Sequence, residues 1–147
     1  MNDAFHDAAA AGAVAAVLSG VPSTVHAVVR GDDPLEASLA AGTLLLPRER
    51  RPGRLLVAAA AVHASLSLGW ALVLTAALPR RRAGVWATLA ALGIAALDLG
   101  VVGRRFPRIR SLPLAPQVAD HLAYAWTVAG VLAWRRSRRG RITAEPR

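Results

Sequence analysis

The sequence contains no cysteine. Disulfides, thiolate nucleophiles and cysteine-based zinc or iron–sulfur centres are therefore excluded. Lysine is also absent, so all 18 basic residues are arginines. Catalytic and nucleotide-binding signatures are missing too. There is no glycine-rich phosphate loop, no His-Glu-x-x-His, no Gly-x-Ser-x-Gly and no Ser-x-x-Lys. Charged residues make up only 18% of the 147 positions. They are gathered in clusters, whereas a soluble domain spreads its charges along the chain.

Long apolar runs lie between those clusters. Hydrophobic residues make up 54% of the chain and the mean hydropathy is positive. This patterning points to an all-α fold, a polytopic helical bundle in a bilayer. We expect about four transmembrane helices, at 8–29, 55–78, 83–102 and 117–134, in a single domain covering 1–134. The first run is long enough to cross about 30 Å of hydrocarbon at about 1.5 Å per residue. The net charge of +9 does not indicate nucleic acid, because the arginines sit at the ends of apolar runs and have no interleaved aromatics. A cleaved signal peptide is not expected, since Asp3, His6 and Asp7 precede the first run where a positive segment belongs.

The connecting segments carry their own signals. Pro22 interrupts the first run and frees the carbonyl of Leu18, predicting a kink whose open groups Ser23, Thr24 or a water would satisfy. Gly31 reads as a helix stop. Asp33, Pro34 and Glu36 have the spacing of an N-cap, a first helical residue and a capping box. The helix they start, about 34–46, is too short to span and is expected to be interfacial, with Leu35, Leu39 and Leu46 on its apolar side. The segment 103–116, with three prolines and four arginines, is expected to lie on the interface, and the basic tail 135–147 to be disordered. Small residues repeat at intervals of four: Ala8, Gly12, Ala16 and Gly20, then Ala125, Ala129 and Ala133. Such stripes allow close helix approach within the bundle or, as the alternative, a homo-oligomer contact. A weaker echo, His63 to Gly69 against His121 to Gly130, suggests two helix hairpins related by duplication.

The candidate site residues are the polar ones inside the spans: His26, His63, Asp98, Asp120 and His121. Antiparallel topology places all of them in one leaflet, next to the arginine-bearing segments 30–54 and 104–110. If they face inward, they form one polar cluster at one mouth of the bundle. An ionised carboxylate in a span costs a few kcal/mol, so Asp98 needs a partner or a proton. Its readings are a structural ion pair with Arg104, Arg105 or a histidine, or proton or cation handling with His63 or His121. His63 is a metal ligand, a proton carrier or an interhelical hydrogen-bonding residue. Arg80, Arg81, Arg82, Arg104, Arg105, Arg135 and Arg136 are expected to contact lipid headgroups. Nine arginines fall on each side of the bilayer, so the positive-inside rule gives no orientation.

Several stretches carry a family resemblance: Leu18-Ser19-Gly20-Val21-Pro22-Ser23-Thr24-Val25-His26, Asp33-Pro34-Leu35, Ala41-Gly42-Thr43-Leu44, and His63-Ala64-Ser65-Leu66-Ser67-Leu68-Gly69-Trp70. Gly103-Arg104-Arg105-Phe106-Pro107 and Gln117-Val118-Ala119-Asp120-His121 complete the set. Together they resemble a group of small uncharacterised actinobacterial integral membrane proteins. The resemblance covers nearly the whole chain. It implies a four-helix bundle in a bacterial plasma membrane, and no catalytic residues can be carried over from it. The expected role is a non-enzymatic structural or accessory membrane component without cofactor or metal. Its expected partners are the lipid bilayer and anionic headgroups. The alternatives are a proton- or cation-coupled transporter or channel subunit using Asp98 and His63, and a membrane enzyme with a His/Asp metal site.

Overall fold

The computed structural model describes residues 2–144, with side chains from 3 to 141. All its regular structure is helical: α1 (Asn2–Leu18), α2 (Val21–Arg30), α3 (Glu36–Gly42), α4 (Pro52–Ala77), α5 (Ala83–Leu97), α6 (Pro107–Arg110) and α7 (Leu114–Ala144). A π-helical segment, Asp98–Val102, and a 3-10 turn, Gly103–Arg105, continue α5. Three stretches are long and apolar enough to cross a membrane: Asp3–Arg30 with 28 residues, Pro52–Ala77 with 26, and Ala83–Arg105 with 23. The expected fourth span lies within α7, which is long enough but too polar to be counted with them. The reason is its position. α7 packs against α1, α2, α4 and α5, and a helix surrounded by others need not be apolar throughout.

α1 stands between α4 and α7, and α7 between α1 and α5. α4 and α5 are neighbours in sequence yet pack chiefly on other helices. A lipid solvent removes most of the hydrophobic drive between helices, so association depends on close packing of small residues. The core shows this in one half of the bundle, where Ala8, Ala11, Ala15, Ala71, Ala87, Ala91 and Ala125 are buried with Leu74, Val128 and Leu132. At Gly12 a Cβ would lie 3.0 Å from the Ala71 Cβ and 3.1 Å from the Ser67 carbonyl oxygen, so this glycine sets the approach of α1 to α4. The second expected stripe holds only in part. Ala125 is buried, but Ala133 is exposed, and the buried face of α7 runs through Tyr124, Val128 and Leu132 instead.

The predicted kink at Pro22 is a break between α1 and α2. The last ladder bond before it runs from Ser19 N–H to the Ala15 carbonyl (2.9 Å), and the next from Thr24 N–H to Gly20 (3.1 Å). Proline supplies no N–H, and its ring collides with the carbonyl four residues back. α2 then ends at Gly31, whose φ of 75° is left-handed. Asp32 N–H reaches the Ala27 carbonyl, and Gly31 N–H that of Val28, the bond pair of a glycine-terminated helix.

Two expectations for the connecting segments are corrected. Asp33 does accept from Leu35 N–H (2.8 Å), but Glu36 does not close a capping box. Its carboxylate takes both Nε and an Nη of Arg108, each at 2.7 Å, tying α3 to α6. A bidentate guanidinium pair outcompetes a single backbone donor. α3 is also shorter than expected, ending at Gly42 and continuing as turns through Leu46; Leu39 is buried while Leu35 is exposed. The basic tail is not disordered within the described residues, because α7 runs on to Ala144. Arginine is a good helix former, and cations suit a helix C-terminus. Arg135 Nε at 2.5 Å and Arg139 Nη at 2.9 Å also hold the buried Asp7 of α1. Residues 145–147 lie outside the described part.

Candidate functional site: a polar-ended cavity in one half of the bundle

The half of the bundle opposite the alanine core carries a half-open cavity of about 820 Å³. It lies between α4 and the end of α5, bounded by the α1–α2 break, α3 and the first turns of α7. Its walls are mainly alanine, leucine and serine, with Trp70 and Tyr124 among them. Four of the five candidate residues line it: His63, Asp98, Asp120 and His121. They come from three helical stretches far apart in sequence. His26, on α2, is partly buried and is not among the lining residues.

Two of these side chains repair the broken helix. His63 Nε2 lies 2.7 Å from the Ala16 carbonyl oxygen, so that nitrogen carries the hydrogen and donates. The Asp120 carboxylate accepts from Ser23 N–H at 2.9 Å, in the first turn of α2. A helix start leaves its first N–H groups without intrahelical partners and carries a partial positive charge. Asp120 answers both from another helix. The Ser23 hydroxyl turns back to the Gly20 carbonyl (3.3 Å). At the break the Ala16 carbonyl is met from α4 and the Ser23 N–H from α7, while the Ser23 hydroxyl, as the sequence suggested for this residue, meets a carbonyl, that of Gly20.

The other pair is Asp98 and His121. Asp98 opens the π-helical segment, where the wider turn carries its side chain toward α7. Its Oδ2 lies 3.4 Å from His121 Nε2. His121 Nδ1 is 2.7 Å from the Gln117 carbonyl oxygen. A carbonyl only accepts, so Nδ1 holds a hydrogen. The partner expected for Asp98 among Arg104, Arg105 and the histidines is therefore His121. The pairing of Asp98 with His63 is not formed, because His63 Nε2 is committed to α1.

Gly103 fixes the turn below Asp98: a Cβ there would lie 2.9 Å from both the Asp98 carbonyl oxygen and Ile109 Cγ2. At the inner end of the cavity the Tyr124 hydroxyl donates to the Ser67 carbonyl, locking α7 to α4. Neither tie was visible in the sequence, and nothing in the spacing of Ser67 and Tyr124 signals it.

The arginines divide into several settings. Arg80, Arg81, Arg82, Arg104 and Arg105 are exposed at the bundle ends, and Arg136 is partly buried. Arg135 departs from a free headgroup role, since its guanidinium is taken by Asp7. Arg138 stacks on the Trp134 ring at 4.7 Å. At the cavity end, Glu49 accepts from the Arg50 and Arg51 N–H groups and pairs with Arg54. The backbone donors of Arg51 and then Arg50 hold its carboxyl below the ordinary glutamate range. The Arg108 guanidinium is held more basic than usual by its bonds to Glu36. Among the described residues, no three histidine, aspartate or glutamate side chains converge as a metal-ligand set.

Comparison with protein-family models, with curated proteins and with solved structures yields no match for this chain.

Proposed function

We propose that this chain is a non-enzymatic, multi-pass protein of a bacterial plasma membrane whose bundle forms a chamber for an amphiphilic small molecule. On this reading α7 crosses the bilayer with the three apolar stretches, which puts both ends of the chain on one side. The observation that carries the reading is the half-open cavity of about 820 Å³, whose lining is mostly apolar and to which Asp98, His121, Asp120 and His63 contribute. Ligand chambers of about 300–1,000 Å³ combine apolar walls with a few polar groups that orient the bound molecule. The exposed arginines at both ends suit anionic headgroups.

The test is retention and exclusion. Membranes washed with carbonate should keep the protein, and detergent should be needed to release it. Native mass spectrometry of protein taken directly from membranes should show a small amphiphile bound to the wild type. Ala60→Trp, which adds an indole to the cavity lining on α4, should abolish that adduct while keeping the charge-state distribution of the folded protein. Release by carbonate alone would refute membrane insertion. Identical adduct-free spectra for wild type and variant would refute the chamber.

A further inference from the structure

We infer that the chamber takes a lipophilic cation, and that the cation enters in exchange for one proton held between Asp98 and His121. This rests on the chamber reading above and names its ligand class. The observation is an imbalance of charge. The chain carries 18 arginines and a net charge of +9, yet no arginine lines the cavity. Its charged side chains are the carboxylates of Asp98 and Asp120 and, while it holds the shared proton, the imidazole of His121. In surroundings of low polarity a carboxylate attracts a cation far more strongly than it does in water. Trp70 and Tyr124, also in the lining, are aromatic residues of the kind that suit a cation with apolar substituents. An anionic amphiphile would meet two carboxylates, and the cationic group there, the His121 imidazolium, is already paired with Asp98.

The two carboxylates are not equivalent. Asp120 is engaged by Ser23 N–H at the start of α2. Asp98 faces only His121 at 3.4 Å. Because His121 Nδ1 holds its hydrogen on the Gln117 carbonyl, the contact between Nε2 and Oδ2 has room for one proton. Without it, two lone pairs face each other; with two, the hydrogens collide. The other titratable groups bordering the cavity are Asp120 and Tyr124 on α7 and His63 on α4. The α1–α2 segment, α3 and the stretch through Ile109 and Leu112 contribute none.

A cation seated against Asp98 takes the place of the imidazolium. The Nε2–H proton passes to water, His121 becomes neutral with Nδ1–H still on Gln117, and the carboxylate keeps one positive partner throughout. One cation enters, one proton leaves, and the charge of the site is unchanged.

Purified full-length protein in nanodiscs of zwitterionic lipid is titrated with tetraphenylphosphonium, a permanent cation that cannot itself titrate. Triphenylphosphine oxide (neutral) and tetraphenylborate (anionic) serve as comparisons. The expected result is binding of the phosphonium at least tenfold tighter than of the oxide, with no site for the borate. A weakly buffered solution should gain one proton per cation bound. The apparent Kd should fall up to tenfold per unit rise in pH while the unliganded pair holds its proton. Asp98→Asn should lose the tenfold preference and the proton release but still bind the oxide, and Asp98→Glu should restore the preference. The wild-type measurements decide the matter even if Asp98→Asn fails to fold. Equal binding of oxide and phosphonium, or cation binding without proton release, would overturn the inference and leave the chamber standing. Failure of every probe to bind would overturn both.

Discussion

Replacing Asp120 tests the repair of the broken helix most sharply. In Asp120→Ala the Ser23 N–H, bonded to Oδ1 at 2.9 Å, loses its acceptor at the start of α2. A buried donor left unpaired costs about 1–3 kcal/mol. Side-chain hydrogen bonds in a bilayer average only about 0.6 kcal/mol and reach about 1.7, because the separated helices find other partners. The carboxylate adds up to about 2 kcal/mol of charge–dipole attraction in a partly buried setting. With the bilayer figure for the hydrogen bond and part of the charge–dipole attraction, we expect a loss of about 1–3 kcal/mol. Asp120→Asn keeps an acceptor oxygen and loses the charge, so about half of that loss is expected. The assay is reversible unfolding in mixed micelles of denaturing and neutral detergent, together with hydrogen exchange at the Ser23 amide. A loss of 1.4 kcal/mol in the local opening energy speeds that exchange about tenfold. If Asp120→Ala stays within about 0.5 kcal/mol of wild type and the Ser23 amide remains as protected as before, the capping role is wrong.

Three further outcomes follow from the packing and charge. Gly12→Val should destabilise the bundle by about 1–3 kcal/mol through overpacking, because a Cβ there already meets Ala71 and the Ser67 carbonyl; Gly69→Ala, with nothing near its added Cβ, should be neutral or gain up to about 1 kcal/mol. Equal unfolding midpoints for the two variants would contradict the α1–α4 contact. Asp7→Ala should free Arg135 and Arg139, fray the end of α7, and raise amide exchange beyond Trp134; unchanged exchange would show that the clamp is not what orders it. Glu49 titrates below its usual range, so the order it gives to the Arg50 and Arg51 amides is present above the ordinary glutamate value. That order is lost as pH falls through the lowered one. Amide signals of Arg50 and Arg51 that do not change between neutral pH and pH about 3 would refute this.

The sequence was most legible where composition alone decides. Runs of alanine, leucine and valine bounded by arginine clusters mark the spans, Gly31 marks a helix end, and antiparallel arithmetic puts His63, Asp98, Asp120 and His121 in one half of the bundle. What each of them does there was not legible. The partner of Ser23 lies 97 residues away and that of Ala16 lies 47 residues away, and no local spacing encodes such pairs. Pro22 announces that backbone groups will be released, but only the packing of α4 and α7 shows who receives them. The same packing explains two departures. α7 is too polar to read as a lipid-facing span because its polar side chains face other helices and the cavity. The arginine-rich tail extends a helix because Asp7, placed near the start of α1, lies beside it. Glu36 had the spacing of a capping box, and Arg108, 72 residues on, took its carboxylate.

The central claim is that polar residues from separate helices meet in one membrane-embedded cavity. A chain without native cysteine allows a direct test. Asp98→Cys combined with His121→Cys, in intact membranes, places two thiols at the helix positions whose longer native side chains approach to 3.4 Å at Asp98 Oδ2 and His121 Nε2. A short bifunctional thiol reagent should join them within one chain, giving a single intramolecular link and blocking both sites from later maleimide labelling. Separate labelling of both thiols with no link would show that the two residues share only a depth in the bilayer, and the cavity as described would be wrong.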